Sequence, residues 1–232
     1  MSKTILVTGA NRGIGLELVK QYAKSGCNIL ACCRDPDHAA ELKLLMQTYK
    51  IISLYQLDVS NENSVKQLAE ELKNTTIDIL FNNAGIAGKD DALGSVTSED
   101  LISTLKVNTI GPILIAQALH QQVSQSQNKI IVNTSSTLGS IELNKGDDWF
   151  WLSYRVSKSA LNSATKCLSN KLKSKGIIVI SLDPGWVKTD MGGHDADLTP
   201  EESVNGIINV LEKISKDDSG SFIRYNRQRL PW

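Results

Sequence analysis

The sequence predicts an α/β fold, a doubly wound parallel sheet of about seven strands with helices on both faces. Three observations lead there. Strand-like and helix-like stretches alternate from one end of the chain to the other. Most strand-like runs are unbroken apolar stretches, as in strands covered on both faces, rather than alternating in-out patterns. The chain has 232 residues, 41% of them hydrophobic, and no linker, repeat or low-complexity segment divides it. Residues 1–232 are therefore expected to form a single domain.

The first strand is read in TILVTG (4–9). LELVKQYAKSG (16–26) follows with helical period and ends at Gly26, placed as a C′ glycine. NILACC (28–33) is the second strand and AAELKLLMQTYK (39–50) its helix. IISLYQLD (51–58) is the third strand; SNENSVKQLAEELKN (60–74), apolar at 65, 68, 69 and 72, is a helix with Ser60 expected as its N-cap. IDILFNNAG (77–85) is the fourth strand, followed by a long helical pattern over about 98–125. KIIVNTSS (129–136) is the fifth, a helix over about 151–175 comes next, GIIVISLDPG (176–185) is the sixth, and SFIRY (221–225) is a short seventh. Two stretches break this beat, TLGSIELNKGDDWF (137–150) and WVKTDMGGHDADLTP (186–200). Both follow strand ends, where open α/β sheets bind ligands, and loops of that length are usually functional.

Composition narrows the function. The 25 Lys+Arg and 25 Asp+Glu balance to a formal charge of zero without long blocks of either sign, so neither nucleic acid nor an anionic membrane is an expected partner. The apolar start of MSKTILVTGANRG is too short for a signal peptide or membrane span, and a cytoplasmic location is expected. Cys27, Cys32, Cys33 and Cys167 have no paired metal-site spacing and are read as small core residues, with Cys32 and Cys33 facing opposite ways on a strand. His38, His120 and His194 form no ligand pattern, and no metal is predicted.

The chemistry begins where the first strand runs into TGANRGIG (8–15). Gly9, Gly13 and Gly15 sit at a strand–turn–helix junction. There, glycines let backbone N–H groups approach a pyrophosphate whose charge the helix N-terminus favours. A ribose bearing a 2′-phosphate wants cations at the end of the second strand, whereas a free 2′-hydroxyl wants a carboxylate. Arg34 follows that strand and Arg12 lies in the glycine loop, which favours NADP(H). Asp35, immediately after Arg34, keeps NAD(H) open. In SYRVSKSA (153–160), Tyr154 and Lys158 stand four apart and stack on one helix face. An ammonium beside a phenol is expected to lower the phenol's pKa towards the range of a general acid or base.

TGANRGIG (8–15), NNAG (82–85), SSTLG (135–139), YRVSK (154–158) and PGWVKT (184–189) resemble, in order, the successive motifs of the short-chain dehydrogenase/reductase family. Within it, the NRGIG loop, PGWVKTDMGG (184–193) and the ending FIRYNRQRLPW (222–232) resemble the C-factor and sniffer-type carbonyl reductase branch. The resemblance implies a Rossmann fold and a hydride transfer in which Tyr154 is the general acid, Lys158 also holds the nicotinamide ribose, and Ser136 donates to the substrate carbonyl. Its neighbour Ser135 should face away. Asn108, in LKVNTIGP, is implied as a fourth catalytic residue whose side chain helps hold a proton-relaying water. For the cofactor, the resemblance implies Asn11, Arg12 and Ile14 in the glycine loop; Asp58 and Val59 at the adenine; and Asn82, Ala84 and Gly85 at the adenine ribose. Pro184, Gly185 and Val187 are implied near the nicotinamide carboxamide and Thr189 near the phosphates. A homodimer or homotetramer through the helices near 98–125 and 151–175 is also implied.

One departure stands out. Ser136 and Tyr154 are 18 residues apart (154 − 136), where the family pattern is nearer a dozen. The extra length carries Trp149, Phe150 and Trp151 in a chain with only 5% aromatics. Those rings either anchor a loop or wall a pocket for a flat or apolar carbonyl compound. MGGHDADLTP (191–200) has the glycines and small polar residues of a mobile lid. The sequence thus points to an NADPH-dependent reductase of a ketone, aldehyde or quinone. An NAD-dependent alcohol dehydrogenase and a cofactor-binding signalling protein remain as alternatives.

Overall fold

A computed structural model describes residues 2–89, 94–145 and 150–232. Strands β1 (Thr4–Thr8), β2 (Asn28–Cys33), β3 (Ile52–Gln56), β4 (Ile79–Asn82), β5 (Ile130–Thr134), β6 (Ile178–Asp183) and β7 (Phe222–Arg224) form one parallel sheet in the order β3-β2-β1-β4-β5-β6-β7. The order reverses between β1 and β4, and at their carboxyl ends this topology opens a ligand crevice.

Strand alternation sorts the apolar side chains onto two faces. Ile5, Val7, Ile29, Phe81, Val132 and Ile180 join one cluster with residues of α1 (Gly13–Lys24), α2 (Ala40–Thr48) and α7 (Pro200–Glu212). Leu6, Leu30, Leu80, Ile131 and Val179 join the other with α3 (Glu62–Glu71), α5 (Gly111–Ser124) and α6 (Leu152–Leu172). Cys33 and Cys32 fall into different clusters, so the pair does face opposite ways. Each fully buried Leu, Ile or Phe contributes about 1.5–3 kcal/mol, and with both faces covered the central strands leave no room for polar alternation.

A buried polar row interrupts the second face. Asn82, Asn133 and Ser181 are paired neighbours across β4, β5 and β6. The Asn82 amide donates to Asn133 at 2.8 Å, the Asn133 amide to Thr165 Oγ1 at 2.9 Å, and Ser181 Oγ to the same hydroxyl at 3.0 Å. Thr165 in turn donates to Leu161 O within α6.

Four expectations are corrected. The cap of α3 is Asn61, whose Oδ1 accepts from Asn63 N and Ser64 N, while Ser60 Oγ donates to Asp58. The helical run expected over 98–125 is α4 (Ser98–Leu105), a π turn at Lys106–Ile110, and α5. Its length and apolar composition would suit a membrane span, but Ile115, Ala116, Leu119 and Val123 are buried in the second cluster. Helix α7 lies in a stretch read without a helix, although TPEE (199–202) carries its signature: Thr199 and Glu202 form a reciprocal capping box with Pro200 at the first position. Cys167 is exposed, not a core residue.

Candidate active site

The glycine loop turns between β1 and α1. Gly9 has φ +65°, and a Cβ there would stand 2.9 Å from Ala84 Cα; a Cβ on Gly15 would stand 2.1 Å from Gly9 O. Only glycines allow this packing. The loop is tied on both sides. Ala10 N donates to Cys32 O, and the Asn83 amide donates to Thr8 O and Gly9 O while Thr8 Oγ1 accepts from Asn83 N and Ala84 N. Helix α1 begins with no side-chain cap on Arg12 and no acidic residue in its first turn, whereas α3, α4 and α7 are capped by Asn61, Thr97 and Thr199. Its first N–H groups and positive dipole end, with Asn11 and Ile14 beside them, are thus left to an anion.

Gly13 lies against Thr189, whose Cγ2 would be 3.2 Å from an added Cβ, so the 184–189 segment borders the glycine loop. Pro184 and Val187 are buried, and Ser203 Oγ holds Pro184 O. Beyond them the 186–200 loop is more built than a lid of small polar residues suggests. Val187 bridges to Leu198, Trp186 Nε1 donates to Gly192 O, and Gly192 N donates to Thr189 Oγ1.

Arg34 is exposed just past β2. Arg12, also exposed, pairs with Asp190 at 2.7 Å, side chains 64% and 76% accessible, an interaction worth at most about 1 kcal/mol and easily exchanged for a better anion. Asp35 is held locally by His38 Nδ1 at 2.7 Å, which keeps its carboxyl below the usual range. Asp58, two residues past β3, accepts from Ser60 N and Oγ through Oδ1, and Val59 is buried after it. Asn82 does not face the crevice. As part of the polar row it turns to Asn133, and it is Asn83 that braces the glycine loop.

At the ends of β5 and α6 the structure brings Ser136, Tyr154 and Lys158 together. Ser136 stands beside Tyr154, near enough for its hydroxyl to ease ionisation of the phenol. Lys158 Nζ donates to Thr134 O at 2.7 Å and lies 5.4 Å from the Tyr154 ring centroid. Ser135 points away, its hydroxyl donating to Asn162 at 2.7 Å, as the strand alternation requires. Gly139 permits the close approach, since a Cβ there would stand 2.7 Å from Lys158 Cβ, and its carbonyl accepts from Ser159 and Asn162.

The expectation that Lys158 lowers the Tyr154 pKa is reversed. Burial pushes the phenol up, the neighbouring Ser136 hydroxyl opposes this, and the Asp183 charge adds to it. Burial also brings Lys158 down to about 8. Both groups have left water, and desolvation disfavours phenolate and ammonium alike.

Asn108 occupies the π turn, completely buried. Its side chain is engaged on all sides: Oδ1 accepts from Ile86 N, and Nδ2 donates to Ile86 O and Ser157 Oγ. The amide anchors the loop after Gly85. Asn108 Oδ1 and Lys158 Nζ nonetheless border the same spot, 3.3 and 3.6 Å from where a Gly85 Cβ would be.

Trp149 lies outside the described residues. Phe150 and Trp151 stack at 4.7 Å, and Trp151 meets Tyr154 edge-on at 5.5 Å. Trp151 holds φ +57°, an unusual conformation for a bulky residue, at the entry to α6. Asp183, which sequence reasoning passed over, ends β6 buried beside this group and accepts from Thr137 N at 3.2 Å. Its only signal was position, as the last residue of a strand before PG.

Residues 3–198 match the family model described as short chain dehydrogenase. The chain belongs to the short-chain dehydrogenase family, and is by that membership an oxidoreductase. It superposes with TM-score 0.91 on the carbonyl reductase Sniffer of D. melanogaster, 36% identical with both chains wholly covered. It superposes equally well, TM-score 0.91, on the NADPH-bound carbonyl reductase from chicken fatty liver, 36% identical and covering 100% and 99% of the two chains. It is also 36% identical to C-signal of Myxococcus xanthus over 156 residues, 67% of this chain and 93% of that protein. The C-factor and sniffer-type resemblance thus holds.

Proposed function

We propose that residues 1–232 act as one NADPH-dependent domain that reduces a ketone, aldehyde or quinone. The carrying observation is the grouping of Ser136, Tyr154 and Lys158 at the carboxyl end of the sheet, with Lys158 Nζ 5.4 Å from the Tyr154 ring centroid. The uncapped start of α1 fits a pyrophosphate, and Arg12 and Arg34 suit a 2′-phosphate. Similarity to an NADPH-bound carbonyl reductase supports the same choice. Bound NADPH would supply the hydride. As negative charge develops on the carbonyl oxygen, Ser136 donates to it and Tyr154 delivers the proton. Burial keeps that phenol protonated beforehand, as the reductive direction needs. Lys158, at about 8, titrates near working pH and stands ready to return a proton towards Tyr154. Phe150 and Trp151 beside Tyr154 favour a flat or apolar substrate.

NADPH oxidation with a panel of aromatic aldehydes, ketones and quinones tests this. Tyr154→Phe should lower kcat by about 10²–10⁴ with NADPH affinity unchanged; a variant with undiminished kcat would remove Tyr154 from the role.

The identity to C-signal favours a second reading, dinucleotide binding coupled to signalling with little turnover. Tight NADPH binding without reduction of any carbonyl would select it. Exposed Ile102, Ile110 and Val156, on the helical segments 98–124 and 152–172, support assembly as a homodimer or homotetramer.

A further inference from the structure

We infer that half-buried Arg224 and buried Asp183 form a positioning pair that sets the catalytic serine turn from the last strand of the sheet. The two residues stand opposite each other in the β6–β7 register. Arg224 Nε lies 3.1 Å from Asp183 Oδ2, with the carboxylate side chain only 3% accessible. The other oxygen, Oδ1, accepts from Thr137 N, the residue after Ser136, at 3.2 Å. Tyr225 N donates to Asp183 O, which joins the two strands beside this ion pair. A continuous path of contacts thus runs from Arg224 through Asp183 and the Thr137 amide to Ser136 and the Tyr154 hydroxyl.

The arrangement depends on charge balance. A carboxylate this deep is costly unless paired, and burial already pushes Asp183 upward while Arg224 opposes that. Remove the guanidinium and the carboxylate is left buried and unpaired, so it turns towards water and gives up Thr137 N. Ser136 then drifts relative to Tyr154, a shift that costs rate steeply because catalysis depends on sub-ångström placement. The pyrophosphate seat at the glycine loop, on β1 and α1, stays out of this path.

The proposal rests on Ser136 and Tyr154 being the reacting groups. Its test compares Arg224→Gln, Arg224→Lys and the double variant Asp183→Asn with Arg224→Gln, in kcat for an aromatic aldehyde and in NADPH dissociation constant. Arg224→Gln should lower kcat about tenfold with NADPH affinity unchanged. Arg224→Lys should keep most of the rate. The double variant should recover much of the loss, because a neutral amide at position 183 still accepts from Thr137 N and no longer needs a cation. A double variant slower than Arg224→Gln, or equal losses in rate and NADPH affinity, would show that Arg224 merely supports the fold and overturn the pairing. If the wild type reduces no carbonyl, the reductase reading falls on its own. Hydrogen exchange at the Thr137 amide then decides: exchange faster in Arg224→Gln and slowed again in the double variant supports the pair, and unchanged exchange overturns it.

Discussion

Replacing Lys158 with Met should make the protein more stable at neutral pH while abolishing turnover. Lys158 is 3% exposed, and burial lowers its pKa from the ordinary 10.5 to about 8. At about 1.36 kcal/mol for each tenfold in proton affinity, the charged side chain costs the folded state about 3 kcal/mol below pH 8. Met fills similar space without that charge, losing only the bond from Nζ to Thr134 O. For a chain of this size the gain corresponds to roughly 6–12 °C in Tm. The sign of the pH dependence follows from linkage. Between about 8 and 10.5 the unfolded lysine holds its proton and the folded one does not, so the wild type gains stability as pH rises through that window. The gap between wild type and Lys158→Met should therefore be widest below pH 8 and close to a few tenths of a kcal/mol near pH 10.5. Thermal or urea unfolding of both proteins from pH 6.5 to 10.5 measures it. A variant no more stable than wild type at pH 7, or a gap constant across the range, would refute the claim that Lys158 is held against its own solvation.

Three further outcomes can be checked. Arg12→Ala and Arg34→Ala should each raise the KM for NADPH about tenfold and leave NADH nearly unaffected, since each removes a charge-assisted contact to the 2′-phosphate; equal effects on both cofactors would count against that assignment. Gly15→Ala drives a Cβ to 2.1 Å from Gly9 O and should cost about 1–3 kcal/mol in unfolding titrations, with NADPH binding lost in calorimetry. Thr199→Ala removes one half of the capping box of α7 and should cost about 1 kcal/mol without altering kcat.

The seven strands were legible because each is an apolar run bounded by turn residues, and β2 matches the sequence reading residue for residue. The pairing of Tyr154 with Lys158 followed from helical spacing, and the placing of Ser136 with them from the family resemblance. What the sequence concealed depends on contacts between distant segments. Asn82 and Asn83 are adjacent and chemically identical, and only the register with Asn133 shows which faces the polar row and which the glycine loop. The π turn at Asn108 lies inside a run of helical period, and nothing in Lys106–Ile110 distinguishes it from an α turn. The direction of the Tyr154 shift could not be read from Lys158 four residues on, because it is decided by how deeply the fold buries both groups. Helix α7 was legible and simply unread, since Thr199, Pro200 and Glu202 spell out its start.

The hydrogen-bonded row of Asn82, Asn133, Thr165 and Ser181 has a mechanical consequence for α6. Apolar packing alone would let a long helix roll on the sheet by a few tens of degrees at little cost, because one aliphatic neighbour substitutes for another. Thr165 cannot roll, since its single hydroxyl is met by two strands at 2.9 and 3.0 Å. Lys158 and Tyr154 precede it by seven and eleven residues, close to two and three whole turns, so all three share one meridian of the helix. The threonine works as an indexing pin: it fixes the azimuth of α6 about 10 Å below the lysine and thereby aims the phenol and ammonium into the crevice.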